Sequence, residues 1–254
     1  MPSRFSLLLQ GCAVTAVTAS ASFFIWTKHA RFEPMDPSTD PTFKTLFYNK
    51  FNPNRNPTFH DVCVRRIAIN KIDRALVKDA NEGGDKLVTR FAQGVWGGFG
   101  FGIQREYLAY KYKNDTTTKH QLWTKKELLN DDYKEGAEIT DHFKVLSRPD
   151  NHTILFRCGA SPLDHPDSAR PGDGLFEMSA EAKFDQGYAE FRLKSVFYQG
   201  EGKAEKAPFD GDPFMQWAHR EYAKLWMENA VGNCKQKLTG DIDWDVVKGK
   251  KSAE

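Results

Sequence analysis

The clearest pattern along the chain is a two-residue alternation in its C-terminal half. From Leu175 to Phe184, the residues Phe176, Met178, Ala180, Ala182 and Phe184 alternate with Glu177, Ser179, Glu181 and Lys183. After Asp185-Gln-Gly187 the alternation resumes from Tyr188 to Tyr198, with Ala189, Phe191, Leu193, Ser195 and Phe197 on one side. Successive side chains of a strand point to opposite faces, so each segment predicts a strand with one apolar and one wet face. Two more strands are expected before them. Glu138 to Leu146 carries Ile139, Phe143 and Val145, and Thr153 to Cys158 follows the turn-forming run Arg148-Pro-Asp-Asn-His152. Four strands joined by short turns predict an antiparallel sheet. An earlier strand is expected from His60 to Ile69, with Val62, Val64 and Ile67 toward the core.

Helical spacing appears between these strands and after them. Leu87, Val88, Phe91 and Val95 predict a helix from Asp85 to about Val95, and Gln104 to Lys113 predicts another. The glycines of Trp96-Gly-Gly-Phe-Gly-Phe-Gly102 follow a helix rather than a strand and lack the Lys-Ser/Thr of a phosphate loop. They predict a bend where two helices pack closely. The longest helix is expected from Pro213 to about Lys237, with Asp212 as N-cap and Pro213 at its first position. Its apolar stripe reads as Phe214, Ala218, Tyr222, Leu225 and Asn229, beside Trp217, Glu221 and Trp226.

The first residues have a different character. Phe5 to Thr27 carries no charge, preceded by Arg4 and followed by Lys28, His29 and Arg31. As a helix this run is long enough to cross roughly 30 Å of hydrocarbon. Three readings stay open: an uncleaved single-pass anchor, a signal peptide cleaved after Ala19-Ser20-Ala21, and a mitochondrial presequence. The expected organisation is an anchor or signal segment over 1–31, a Pro/Asn-rich linker over 32–58, a folded domain over 59–238 and a loose tail over 239–254. Within the linker, Phe43 to Tyr48 is expected to dock a short helical turn on the domain.

The phrases Asn56-Pro-Thr-Phe-His-Asp61, Glu138-Ile-Thr-Asp-His-Phe143, Asp173-Gly-Leu-Phe-Glu-Met-Ser179 and Lys194-Ser-Val-Phe-Tyr-Gln-Gly200 resemble a family of uncharacterised fungal proteins. Members of that family are often associated with secondary-metabolite gene clusters. The order of elements is similar to the START-like helix-grip superfamily, which includes polyketide cyclases. That resemblance implies an α+β fold in which a curved antiparallel sheet wraps a long C-terminal helix around a ligand cavity. It covers about residues 40–238 and carries no catalytic motif that transfers residue by residue.

Composition narrows the chemistry. The net charge of +2, from 36 basic and 34 acidic residues spread along the chain, argues against a nucleic-acid binder, which shows a basic stripe. The aromatics, 19 Phe, 8 Tyr and 6 Trp, suit both a large core and a cavity for greasy ligands. Cys12, Cys63, Cys158 and Cys234 form no paired motif, and buried free thiols are expected. The histidines lack metal spacing, so neither a metal nor a cofactor is expected.

The expected partner is a hydrophobic small molecule, with the membrane met through residues 5–27 and other biosynthetic enzymes as further partners. The catalytic candidates are Asp141, His142 and His219. Asp141 shares the apolar side of its expected strand with Ile139, Phe143 and Val145, where a carboxylate must pair with a cation such as Arg157 or shift its pKa upward. The ligand-binding candidates are Arg157, for a carboxylate, and Trp96, Phe191 and Trp217, for stacking. Asn114 and Asn151 open N-x-Thr triplets that accept glycans if the domain is lumenal. The function these expectations imply is a membrane-tethered pocket protein of fungal secondary metabolism. Its two forms are a cyclase or isomerase-like enzyme and a non-catalytic carrier of lipid or metabolite, and an assembly factor that only recruits proteins is a third reading.

Overall fold

The computed structural model describes residues 21–163 and 165–236. It is a mixed α+β fold built on one curved, seven-stranded antiparallel sheet. The strands are β1 (Arg31–Glu33), β2 (Phe59–Ala68), β3 (Glu138–Ile139), β4 (Phe143–Asp150), β5 (Thr153–Gly159), β6 (Asp173–Lys183) and β7 (Tyr188–Tyr198). They lie in the order β1-β2-β7-β6-β5-β4-β3, so the sheet closes its sequence order by pairing β2 with β7. The sheet is accompanied by helices α1 (Leu46–Phe51), α2 (Arg74–Asn81), α3 (Lys86–Gly97), α4 (Phe99–Tyr112), α5 (Lys125–Asn130) and α6 (Pro213–Cys234).

The alternation of β6 and β7 puts Phe176, Met178, Ala180, Phe191 and Leu193 on the sheet face that meets α3 and α6. There they bury against Phe91, Val95 and Trp96 of α3 and Trp226, Met227 and Ala230 of α6. The two helices can touch because Gly94 has no side chain. A Cβ there would sit 2.6 Å from Ala230 Cα, closer than any real contact. Gly98 separates α3 from α4, so the glycine run makes the expected bend between helices. Trp96 anchors the centre, with the rings of Phe143, Phe101, Phe156 and Trp226 at centroid distances of 4.6, 5.1, 5.4 and 5.4 Å.

The other sheet face is covered as well. Phe43 and Phe51 bury against Leu155, Leu175, Val196 and Tyr198. Residues 32–58, expected to be a linker, therefore hold the end of β1, a 3-10 turn at Pro41–Lys44 and α1. The prolines and asparagines of this stretch delimit short elements packed on the sheet. The Asn52 side chain, for example, donates from Nδ2 to the Asn56 carbonyl at 3.0 Å and accepts on Oδ1 from the Asn56 amide at 2.8 Å.

Three further expectations need correction. Val62 and Val64 lie on the opposite side of β2 from Ile67, because a strand repeats every two residues and Cys63 shares the face of Ile67. The single strand expected over Glu138–Leu146 is two strands, β3 and β4, joined by a tight turn at Thr140 and Asp141. The buried face of α6 runs through Ala223, Trp226, Met227, Ala230, Val231 and Cys234, while Phe214 and Trp217 are exposed. Large aromatic residues fall on both the exposed and the buried side of this helix, so its sequence does not single out a face. Its cap is as expected: Asp212 accepts from the Met215 amide at 3.0 Å, with Pro213 at the first position.

Most of the uncharged run at 5–27 lies outside the described residues, as do Cys12 and the tail from 239. Residues 21–27 are helical, and no helix among the described residues is long and apolar enough to cross a membrane. Cys63, Cys158 and Cys234 are free and buried, as expected, and burial pushes the Cys63 thiol up to about 12.

Candidate functional site

A cavity of about 260 Å³ lies between the sheet and α6. Its floor is Cys158 and Gly159 at the end of β5, Phe176 of β6, and Leu193, Ser195 and Phe197 of β7. His219, Tyr222, Ala223 and Trp226 of α6 form the roof, Gln104 of α4 joins from the side, and His142 and Phe143 close one end. The lining is mostly apolar, with a few polar groups converging on it. That is the usual make-up of a small-molecule site, and the volume lies just below the roughly 300–1,000 Å³ common for such sites, which suits a small ligand.

His219 is the best-supported polar group. Its Nε2 lies 3.2 Å from Oδ1 of Asp61, which is buried on the inner face of β2, directly opposite Ser195 in register. A carboxylate only accepts, so Nε2 carries the proton and Nδ1 keeps the lone pair in the neutral ring. The other carboxylate oxygen of Asp61 has no hydrogen-bond partner among the described residues, and Arg220 Nε lies 3.7 Å from it. Three rings hold the imidazole: Phe59 and Phe197 edge-on at 5.3 and 5.4 Å, and Phe209 stacked at 6.4 Å.

His142 stands at the other end. Its Nδ1 lies 3.3 Å from the Thr140 carbonyl and donates to it, which leaves the lone pair on Nε2. Burial pushes its pKa below the ordinary 6.5, and the charges of Lys111 and Arg170 act the same way, so the ring is neutral at pH 7. On the roof, the Tyr222 hydroxyl donates to Gln104 Oε1 at 2.9 Å, and burial pushes this phenol up to about 12. Trp226 adds an indole N–H that is buried and without a hydrogen-bond partner among the described residues.

Two of the three catalytic candidates, His142 and His219, thus meet on one cavity. Asp141 does not line it. It occupies the second central position of the β3–β4 turn at φ 61°, following Thr140 at φ 48°. Its Oδ1 accepts from Ser161 Oγ at 2.8 Å and from Gln121 Nε2 at 3.4 Å, so Arg157 is not its partner. Arg157 lies on the opposite sheet face, because it shares the parity of Leu155 and not of Phe156. There it holds Asp173 through two bonds, of 3.0 and 2.6 Å, and stacks on Phe51. It is an internal ion pair and not a ligand anchor. Trp96 and Phe191 are wholly buried core, and Trp217 is exposed beside Phe214. Asn114 and Asn151 are exposed, with Asn151 donating to the Gly83 carbonyl at 2.6 Å.

Asp61 is one of the acids the sequence offers, but its pairing with His219 is not legible there, because the two stand far apart in the chain. The inward direction of Asp61 was legible from parity with Cys63 and Ile67. No group of three or more His, Cys, Asp or Glu side chains among the described residues is placed to hold a metal ion.

No protein family and no curated protein matches this chain. A solved structure of an uncharacterised protein from Rhizobium leguminosarum is similar to it at a TM-score of 0.25 and 14% identity, covering 68% of this chain and 96% of the other.

Proposed function

We propose that the chain binds a small hydrophobic carbonyl compound and moves a proton on it, as an isomerase- or cyclase-like enzyme of secondary metabolism tethered at a membrane. The observation that carries this reading is the buried Asp61 carboxylate holding His219 on the wall of an apolar cavity. Asp61 fixes the tautomer, and the His219 Nδ1 lone pair takes a proton from the carbon beside the carbonyl. The C–H electron pair moves into an enolate, whose oxygen the Trp226 N–H can meet. Returning the proton at another carbon completes an isomerisation. Attack of the enolate carbon on a second carbonyl of the same molecule forms a C–C bond as the C=O π pair moves onto its oxygen, and the His219 imidazolium returns its proton to that alkoxide to complete a cyclisation. Neither route needs an oxidant or reductant. His142, neutral and at the far end of the cavity, supplies a second base.

The element order from β2 onward supports the helix-grip reading: one strand, helices, a run of antiparallel strands and a closing helix over a cavity. The uncharged run before Lys28 supports the tether. The rival reading, a carrier that binds without reacting, is favoured by the three phenyl rings packed on His219, which give it a place in the fold without any catalytic duty.

Deuterium incorporation separates the two. The full chain, incubated in D2O with a panel of small cyclic and aromatic ketones, is expected to catalyse exchange at the carbon beside the carbonyl, read by mass spectrometry. Asp61→Asn and His219→Gln are each expected to slow exchange by about 10²–10⁴-fold, the usual contribution of a positioned base. Retention of the ketones without exchange would establish the carrier instead.

A further inference from the structure

We infer that the outer face of α4 rests on the lipid-water interface of the bilayer, beside the point where the N-terminal segment reaches the domain. The inference rests on the tethered reading above. Phe99, Ile103, Tyr107 and Tyr110 recur at helical spacing along one face of α4 and are 66, 86, 58 and 93% exposed. Four large apolar or aromatic side chains in a row leave more greasy surface in water than scattered exposed residues do. The inward side of the same helix is already occupied: Phe101 and Leu108 are buried, and Gln104 bonds Tyr222 at the cavity wall.

Two observations name the occupant. The first is where the uncharged run ends. It leads into the helical residues 21–27, and Trp26 stacks on Phe99 at 5.9 Å. The exposed Phe24 and Ile25 are part of the same helical segment, so the segment expected to enter lipid reaches the domain at one end of this stripe. The second is the character of the stripe and its surroundings. Tyrosine and tryptophan favour the headgroup region, where a ring sits in the apolar layer and its polar atom meets water. Lys28 and Arg31 follow the uncharged run, and Lys111 lies over the Tyr107 and Tyr112 rings at 5.9 and 5.0 Å, a supply of positive charge for lipid phosphates. Glu106, the acidic residue on the exposed side of α4, is neutralised by Arg105 at 2.7 Å. Gln104 follows Ile103 and turns to the cavity, so this orientation brings the cavity wall to the layer in which a hydrophobic substrate partitions.

The test uses the full chain with Cys12→Ser, since the other thiols are buried. Ile103→Cys carries an environment-sensitive fluorophore, and Lys44→Cys, on the far side of the sheet, carries the same label as a control. Vesicles of phosphatidylcholine and phosphatidylserine are added, and flotation measures binding separately. The expected result is co-flotation, with a blue shift and brighter emission at position 103 and no change at position 44. Co-flotation with an aqueous spectrum at 103 would overturn the interfacial placement and leave the tether standing. Failure to float would remove the tether and this inference with it. A shifted spectrum at 103 before vesicles are added would mean that a second copy or the chain's own N-terminal segment covers α4, and would also overturn it.

Discussion

At Asp141 one pair of dihedral angles decides a role. The His142 amide donates to the Ile139 carbonyl at 3.2 Å, and both residues between them have positive φ. That is the hairpin turn for which Asn-Gly is the usual signal, here written Thr-Asp, so the sequence pattern runs straight through it as a strand. The turn rotates Asp141 out of the expected alternation and into hydrogen bonds with Ser161 and Gln121. Asp141→Asn is therefore expected to cost about 1 kcal/mol or less, because asparagine tolerates the left-handed region and keeps an acceptor oxygen. Asp141→Ala removes both bonds and puts a Cβ-bearing residue with no local compensation at positive φ, for a loss of about 2–4 kcal/mol. Urea denaturation checks the order, and ketone exchange should persist in the asparagine variant. His142 carries a pH signature. Its folded pKa lies below 6.5 because burial disfavours the charged ring, so below pH 6.5 the unfolded chain takes the proton first and stability falls with pH. Carboxylates act lower. Burial pushes Glu190 up, but hydrogen bonds from Arg66 and Arg192 outweigh it and hold the group below its ordinary 4.5, so its contribution is lost only as pH falls from there. Between about pH 7 and pH 5, the melting temperature of His142→Gln should fall less than that of the wild type.

Among the elements, legibility followed regularity. Strands β6 and β7 alternate without a break along Asp173–Lys183 and Tyr188–Tyr198, each with one face on the core, and their inward residues were readable one by one. Helix α6 was readable in extent but not in orientation, because Phe214 and Trp217 are as apolar as the residues it buries. The glycine run was readable as a bend between helices, and Gly102 within it, set against Gly94 just before it, offers a paired test. Gly94→Ala gains about 1 kcal/mol of helix propensity but drives a methyl into the α6 backbone at Ala230. Overpacking against backbone costs about 1–3 kcal/mol, so a net destabilisation is expected. Gly102→Ala, with nothing within 4 Å of the added carbon, should stabilise by about 0.5–1 kcal/mol. Thermal unfolding of the two single variants reads both signs, and a stabilised Gly94→Ala would disprove the tight α3–α6 approach.

For the whole molecule, the hardest features to read were the contacts that join distant parts of the chain. Asp61 meets His219 across 158 residues, and nothing local to either residue announces the other. The covering of the outer sheet face by Phe43 and Phe51 was hidden in the same way, since short elements among prolines resemble a linker until the sheet they cover is in place. The pairing of β2 with β7 has a further consequence, in time rather than space. Ala68 lies opposite Tyr188, so the first long strand has no main-chain partner on its inner edge until some 120 more residues have been made. At about 5–20 residues per second, that wait is roughly 6–24 s. For that interval an unpaired edge rich in Val, Cys and Ile stands open to other chains, and folding from denaturant must likewise close this long loop before the pairing rewards it. The sheet that builds the cavity is thus completed only when its latest-made strand reaches back to its earliest long one, a topology for which slow refolding from denaturant is expected.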